Sequence, residues 1–141
     1  MELGTFGAIM TFALEVEREV AKFYESAKEI VKDQEMANLF GKLANRGQKR
    51  VKTVERLRRE NVTEMILEAI NGLDSDAYAP STAIPESPDD KTLQEIAVEI
   101  ETNLGAFYTQ AAVKVDFLGE VAYAFELLAE ANEEASQSLS L

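Results

Sequence analysis

From Phe6 onward, apolar residues return every three or four positions: Phe6, Ile9, Met10, Ala13, Val16, Val20, Phe23, Tyr24, Ala27, Ile30 and Val31. That period places them on one face of a long amphipathic helix. Asp33 and Gln34 interrupt the pattern, after which Met36, Ala37, Leu39, Phe40, Leu43, Ala44, Val51, Val54 and Leu57 predict a second helix running to about Arg59. Two long helices joined by so short a turn pack antiparallel. Thr63 to Ile70 predicts a shorter helical piece that stops at Asn71-Gly72, with glycine at the left-handed position. All three prolines, Pro80, Pro85 and Pro88, fall between Leu73 and Asp90 among Asp74, Ser75, Asp76, Ser81, Thr82 and Ser87, a connection without periodicity. Ser87-Pro88-Asp89-Asp90 predicts the start of a third helix: an N-cap, a proline at the first helical position and two acids beside the positive end of the dipole. Its stripe is Leu93, Ile96, Ala97, Ile100, Leu104, Phe107, Tyr108, Ala111 and Val115, and a last helix follows through Phe117, Leu118, Val121, Ala122, Phe125, Leu128 and Ala129. No segment alternates with period two, so no sheet is predicted. The expected fold is all-α, an antiparallel four-helix bundle forming a single domain over 1–141, with hairpins at about 6–60 and 88–138 and a long crossover at about 61–90.

The two predicted hairpins repeat each other. Residues Ala13 to Ala27 lie over Ala97 to Ala111 at a constant offset of 84, with six identities in fifteen, among them Glu15/Glu99, Glu17/Glu101, Phe23/Phe107 and Tyr24/Tyr108. At an offset of 85, Ala37, Phe40, Leu43 and Ala44 lie over Ala122, Phe125, Leu128 and Ala129. Glu-x-Glu and Phe-Tyr in fixed register point to an internal duplication of one helical hairpin.

Composition narrows the chemistry. A chain of 141 residues with 46% hydrophobic positions supports one core without disulfides. It has no cysteine and no histidine. That excludes zinc fingers, iron–sulfur clusters, haem held by those residues, Ser-His-Asp triads and cysteine nucleophiles, and leaves only oxygen ligands for a metal. The net charge is −12, with twelve basic and twelve acidic side chains over residues 1–72 but two and fourteen over 73–141. Such a protein repels phosphate backbones, and the basic run Arg46, Lys49, Arg50, Lys52, Arg56, Arg58 and Arg59 has no interleaved aromatics for base stacking, so no nucleic-acid partner is expected. The run is expected to face the acidic third and fourth helices, within the chain or across a dimer. Neither a basic leader nor an apolar span is present, so a cytoplasmic protein with no membrane partner is expected.

The pattern Ala-x-x-x-Glu followed six and seven residues later by Phe-Tyr, then Leu39-Phe40-x-x-Leu43-Ala44 on the next helix, resembles the ferritin-like superfamily, and within it rubrerythrin-like proteins. The resemblance covers all four helices. It implies a ferritin-like bundle in which each hairpin supplies one Glu from its first helix and a Glu-x-x-His from its second, together holding two irons. On that register the first-helix ligands are Glu17 and Glu101, both present. The Glu-x-x-His positions are Gly47 and Arg50 on the second helix and Asn132 and Ala135 on the fourth, so all four ligands are lost. Two carboxylates do not replace a set of about six ligands. The resemblance therefore implies a vestigial site with no cofactor, and a homo-oligomer, a dimer, since rubrerythrin-like proteins commonly pair.

A carboxylate near a bundle axis still needs a partner or a proton. Glu17 lies within the stripe of Ala13, Val16, Val20 and Tyr24, whereas Glu101 lies nearer the edge of its own. Two readings stay open. In one, Arg50 offers its planar fork to Glu17 or Glu101, with Gly47 leaving room for it. In the other, Arg50 turns outward and the glutamates reach solvent or carry protons. Tyr24 and Tyr108 are candidate site tyrosines, read as core residues with their hydroxyls on a buried acid. A metal-bearing alternative would use Glu130, Glu133 and Glu134 with Glu17 and Glu101 to bind manganese, calcium or magnesium through oxygen, while a di-metal centre would hold iron or manganese. The expected function is that of a binding or structural protein rather than an enzyme. The competing expectation is a divergent carboxylate-bridged di-metal oxidoreductase or a metal-storage protein. A third is small-molecule binding in space left at Gly47, Gly105 and Ala135.

Overall fold

The computed structural model describes residues 1–61 and 68–140. Four long helices carry the described chain: α1 (Phe6–Ile30), α2 (Gln34–Glu60), α3 (Asp90–Lys114) and α4 (Gly119–Leu139). The pairs α1·α2 and α3·α4 pack as hairpins, and the hairpins meet along α1·α3 and α2·α4. Among the described residues there is no strand, only an isolated antiparallel bridge between Glu2 and Asp74. No described helix is long and apolar enough to cross a membrane.

Short polar side chains start three of the helices by accepting otherwise unpaired N–H groups. Thr5 caps α1 through Ala8 N at 3.0 Å, Asp33 caps α2 through Met36 N at 2.9 Å, and Asp89 caps α3 through Thr92 N at 2.8 Å. The start of α3 corrects the expectation built on Ser87 and Pro88. Ser87 takes a left-handed φ of 50°, Pro88 lies outside the helix, and Asp90 is the first helical residue. The Asp90 carboxylate binds the α1–α2 turn, accepting from Lys32 N and Asp33 N at 2.9 Å each. Phe117 and Leu118 precede α4 instead of opening it. The predicted helical piece at 63–70 lies largely outside the described residues, and residues 68–70 are not helical. Gly72 takes its left-handed φ of 81° in a turn, not at a helix stop.

The crossover is tied down at both edges. Residues 1–4 run beside 70–75, with Leu3 N donating to Leu73 O at 2.7 Å and Ile70 N to Gly4 O at 3.0 Å. Further along, a 3-10 turn at Ser75–Ala77 brings Tyr78 edge-on to Phe107, with centroids 6.0 Å apart.

The core repeats its contacts between the hairpins. Phe23 meets Tyr24 at 5.2 Å and Tyr24 meets Phe40 at 5.7 Å; Phe107 meets Tyr108 at 5.1 Å and Tyr108 meets Phe125 at 5.3 Å. Close approach of helices also needs small residues. A Cβ added at Gly47 would sit 2.9 Å from Ala21 Cβ and 3.3 Å from Ala21 Cα, so Gly47 sets the spacing of α1 and α2 and is not a space kept for Arg50. Gly47→Ala gains up to about 1 kcal/mol of helix propensity, but pressing on another helix's backbone costs about 1–3 kcal/mol. A net loss is therefore expected in urea unfolding. Gly105→Ala, whose Cβ would meet only Asn132 Cβ at 3.4 Å and Ala129 O at 3.9 Å, should be neutral or stabilising by the same measurement.

Candidate functional site

Each helix contributes polar side chains to the interior between the hairpins. Glu17 from α1 and Glu101 from α3 are 0% and 1% exposed, so the expected edge position of Glu101 is corrected: it is as deeply buried as Glu17. Arg50 from α2 is 3% exposed and Asn132 from α4 is 0% exposed. Tyr24 and Tyr108 are fully buried beside them.

These groups form one connected network. Tyr24 Oη donates to Glu101 Oε2 at 2.6 Å, and Tyr108 Oη donates to Glu17 Oε2 at 2.5 Å, so each hairpin's tyrosine reaches the other hairpin's acid. Arg46 closes on Glu101 with two parallel bonds, Nη1 to Oε1 and Nη2 to Oε2, both 2.8 Å. Arg50 Nη1 donates to Glu17 Oε2 and to Asn132 Oδ1, both at 3.2 Å, while its Nη2 donates to Leu128 O at 2.8 Å. Asn132 uses the other end of its amide, donating from Nδ2 to Glu101 Oε1 at 2.9 Å. One carboxamide thus links the two ion pairs. The Arg50 guanidinium carbon also lies 5.8 Å from the centre of the Tyr108 ring.

The charges balance: two carboxylates against two guanidinium groups. For Glu101, burial alone would raise the carboxyl. The Arg46 fork, the Arg46 charge and the Tyr24 hydroxyl outweigh it, and Glu101 is held below the ordinary carboxylate value. Burial, reinforced by the neighbouring carboxylate charge, pushes the Tyr24 and Tyr108 phenols well above their ordinary value, so both remain hydrogen-bond donors. Among the described residues, Glu17 Oε1 and Arg46 Nε have no hydrogen-bond partner.

Of the positions assigned to lost ligands, Arg50 and Asn132 enter the network, whereas Gly47 packs on Ala21 and Ala135 is a buried core residue. The structure does not gather the acids proposed for an oxygen-only metal site. Glu130, Glu133 and Glu134 are exposed on α4 while Glu17 and Glu101 are interior, and no three metal-ligating side chains of the His, Cys, Asp and Glu set converge among the described residues. At Gly47 the backbone of α2 lies against Ala21, too close even for a Cβ. A groove of ≈ 530 Å³ does run between α3 and α4, lined by Glu101, Thr102, Gly105, Thr109, Asn132 and Ser136 among others.

Sequence reasoning places Arg46 in a basic run expected to face the acidic third and fourth helices, but does not single out its bidentate bond to Glu101 of α3. The signal was present: Leu43, Arg46, Arg50, Val54 and Leu57 recur at spacings of three and four, so Arg46 flanks the buried stripe. No family model, no curated protein and no solved structure matches the chain.

Proposed function

We propose that this chain is a ferritin-like bundle of the rubrerythrin type whose metal has been replaced by arginine, and that it works as a binding or structural protein, not as a redox enzyme. The observation that carries this reading is the interior network. Both glutamates that correspond to first-helix metal ligands are engaged by guanidinium groups from one helix, α2.

The residues present do not fit a pair of irons. Six donors would be required on the family pattern, and two carboxylates remain. A dication entering beside Arg46 and Arg50 would meet two fixed positive charges at close range, where low dielectric strengthens the repulsion. It would also have to take Glu17 Oε2 and both Glu101 oxygens from the arginines and tyrosines that hold them. The recurrence of the Tyr–Phe contacts and of the crossed Tyr–Glu bonds in both hairpins supports descent from one duplicated hairpin.

One observation favours the second reading, a divergent carboxylate-only di-metal oxidoreductase or storage protein. Glu17 Oε1 is buried and unpartnered, leaving a lone pair free. Metal analysis decides between the two, on protein purified without chelator after growth with added iron and manganese. The expected result is metal far below one ion per chain and a melting temperature that neither ion moves. Stoichiometric metal, with a melting temperature that climbs with ion concentration, would put the enzyme reading first.

A further inference from the structure

The outer surface where α2 and α4 adjoin is divided by charge. Arg56 of α2 contacts Glu120 of α4 at 3.5 Å, which marks the borders of the two helices. Residues seven apart share one helical stripe. The α2 stripe through Arg56 therefore carries Lys49 and Lys42, and the α4 stripe through Glu120 carries Leu127 and Glu134, with Tyr123 and Glu130 beside it. Lys42, Lys49, Glu130 and Glu134 are exposed and, among the described residues, form no ion pair. α4 has no basic residue at all. Between these charges stand two large side chains left open to water, Tyr123 at 62% and Leu127 at 46% exposure, one helical turn apart.

We propose that this α2–α4 face docks a second copy of the same chain. A half-turn about an axis parallel to the helices lays α2 of one copy over α4 of the other and repeats the contact symmetrically. The levels match. Arg50 bonds Leu128 O and Arg56 meets Glu120, so α2 and α4 run antiparallel with Lys49 level with residues near 130. The rotation keeps those levels, bringing each Lys49 to the other copy's Glu130 and each Lys42 towards the other copy's Glu134. Tyr123 and Leu127 then fill the centre.

The available area sets the strength. α4, with 21 residues, is about 31 Å long at 1.5 Å per residue, and two helix widths make about 20 Å. That gives roughly 600 Å² a side and roughly 1,200 Å² in all, the lower edge of specific interfaces. A reversible dimer that weakens with salt follows.

The inference rests on reading the chain as a protein that acts through its surface. A protein that proved both dimeric and loaded with stoichiometric metal would sink that reading and leave this face standing. Sedimentation velocity over a wide range of protein concentration tests it. The wild-type chain should pass from monomer to dimer. Lys49→Glu, Glu130→Lys and Leu127→Asp should each weaken dimerisation at least about tenfold, while the melting temperature of the dilute monomer stays put. Mixing Lys49→Glu with Glu130→Lys should restore a dimer, because each substitution then faces its opposite charge. A wild-type chain that stays monomeric throughout, or a dimer that all three substitutions leave intact, overturns the proposal.

Discussion

Arg50→Ala is expected to lower the unfolding free energy by about 3–5 kcal/mol, the cost of stranding a buried charge. Arg50 has three acceptors, Glu17 Oε2 and Asn132 Oδ1 in the buried interior and Leu128 O in a part-buried position, and all three lose that donor when the side chain is removed. Glu17 would keep a single bond, from Tyr108, with its other oxygen already unpartnered. For a chain of 141 residues the loss corresponds to a drop in melting temperature of roughly 10–15 °C. Arg50→Lys should fall between, because a compact ammonium on a flexible stem does not reproduce a planar fork that serves two side chains and a carbonyl. A double change, Arg50→Met with Glu17→Gln, removes both charges and leaves Tyr108 an acceptor, so it should recover most of the single variant's loss. If Arg50→Ala melted within a degree or two of the wild type, the network would not be holding the interior together.

How much of this could be read from the chain differs from element to element. The four helices were legible because their apolar residues repeat every three or four positions, over twenty or more residues in the first three and from Phe117 to Ala129 in the last, a signal that tertiary context rarely overrides. The start of α3 was not. Ser87, Asp89 and Asp90 are all competent caps, and what separates them is where the carboxylates go: Asp90 is taken by the N–H groups of Lys32 and Asp33, from the far end of the other hairpin, and Asp89 is left to cap. Periodicity carries no information about such a long-range bond. In the interior, Glu17 stood out as a charge on an apolar stripe and Arg50 was placed opposite by the register of the family resemblance, so a pairing between α1 and α2 was one of the two open readings. Glu101 looked marginal because it lies nearer the edge of its stripe, and Arg46 was one of seven cations in a run expected to face α3 and α4, with nothing to single it out. Asn132 was visible only as a residue that is not a glutamate. Its role depends on having a donor and an acceptor in one small group, placed between an arginine and a carboxylate that come from different helices.

Arg46→Ala should cost about 2–3 kcal/mol at neutral pH, less than the loss of Arg50 because the Arg46 side chain is 19% exposed and its pairing is partly screened by water. Its signature is in the pH dependence. In the wild type, Glu101 is held below the ordinary carboxylate value, so its contribution is present above that value, about 4.3 in the unfolded chain, and is lost as pH falls through the lower folded value. Removing Arg46 takes away the strongest causes of that lowering and leaves burial, which pushes the carboxyl up. In the variant the folded protein then holds its Glu101 proton more tightly than the unfolded chain does, and stability falls as pH rises instead of as it drops. The gap between variant and wild type, measured by urea unfolding at neutral pH and again near the carboxylate range, should therefore be widest at neutral pH and narrow on acidification. A gap of constant size at both values would mean that Arg46 contributes packing through its methylenes and not the charge that keeps a buried carboxylate ionised.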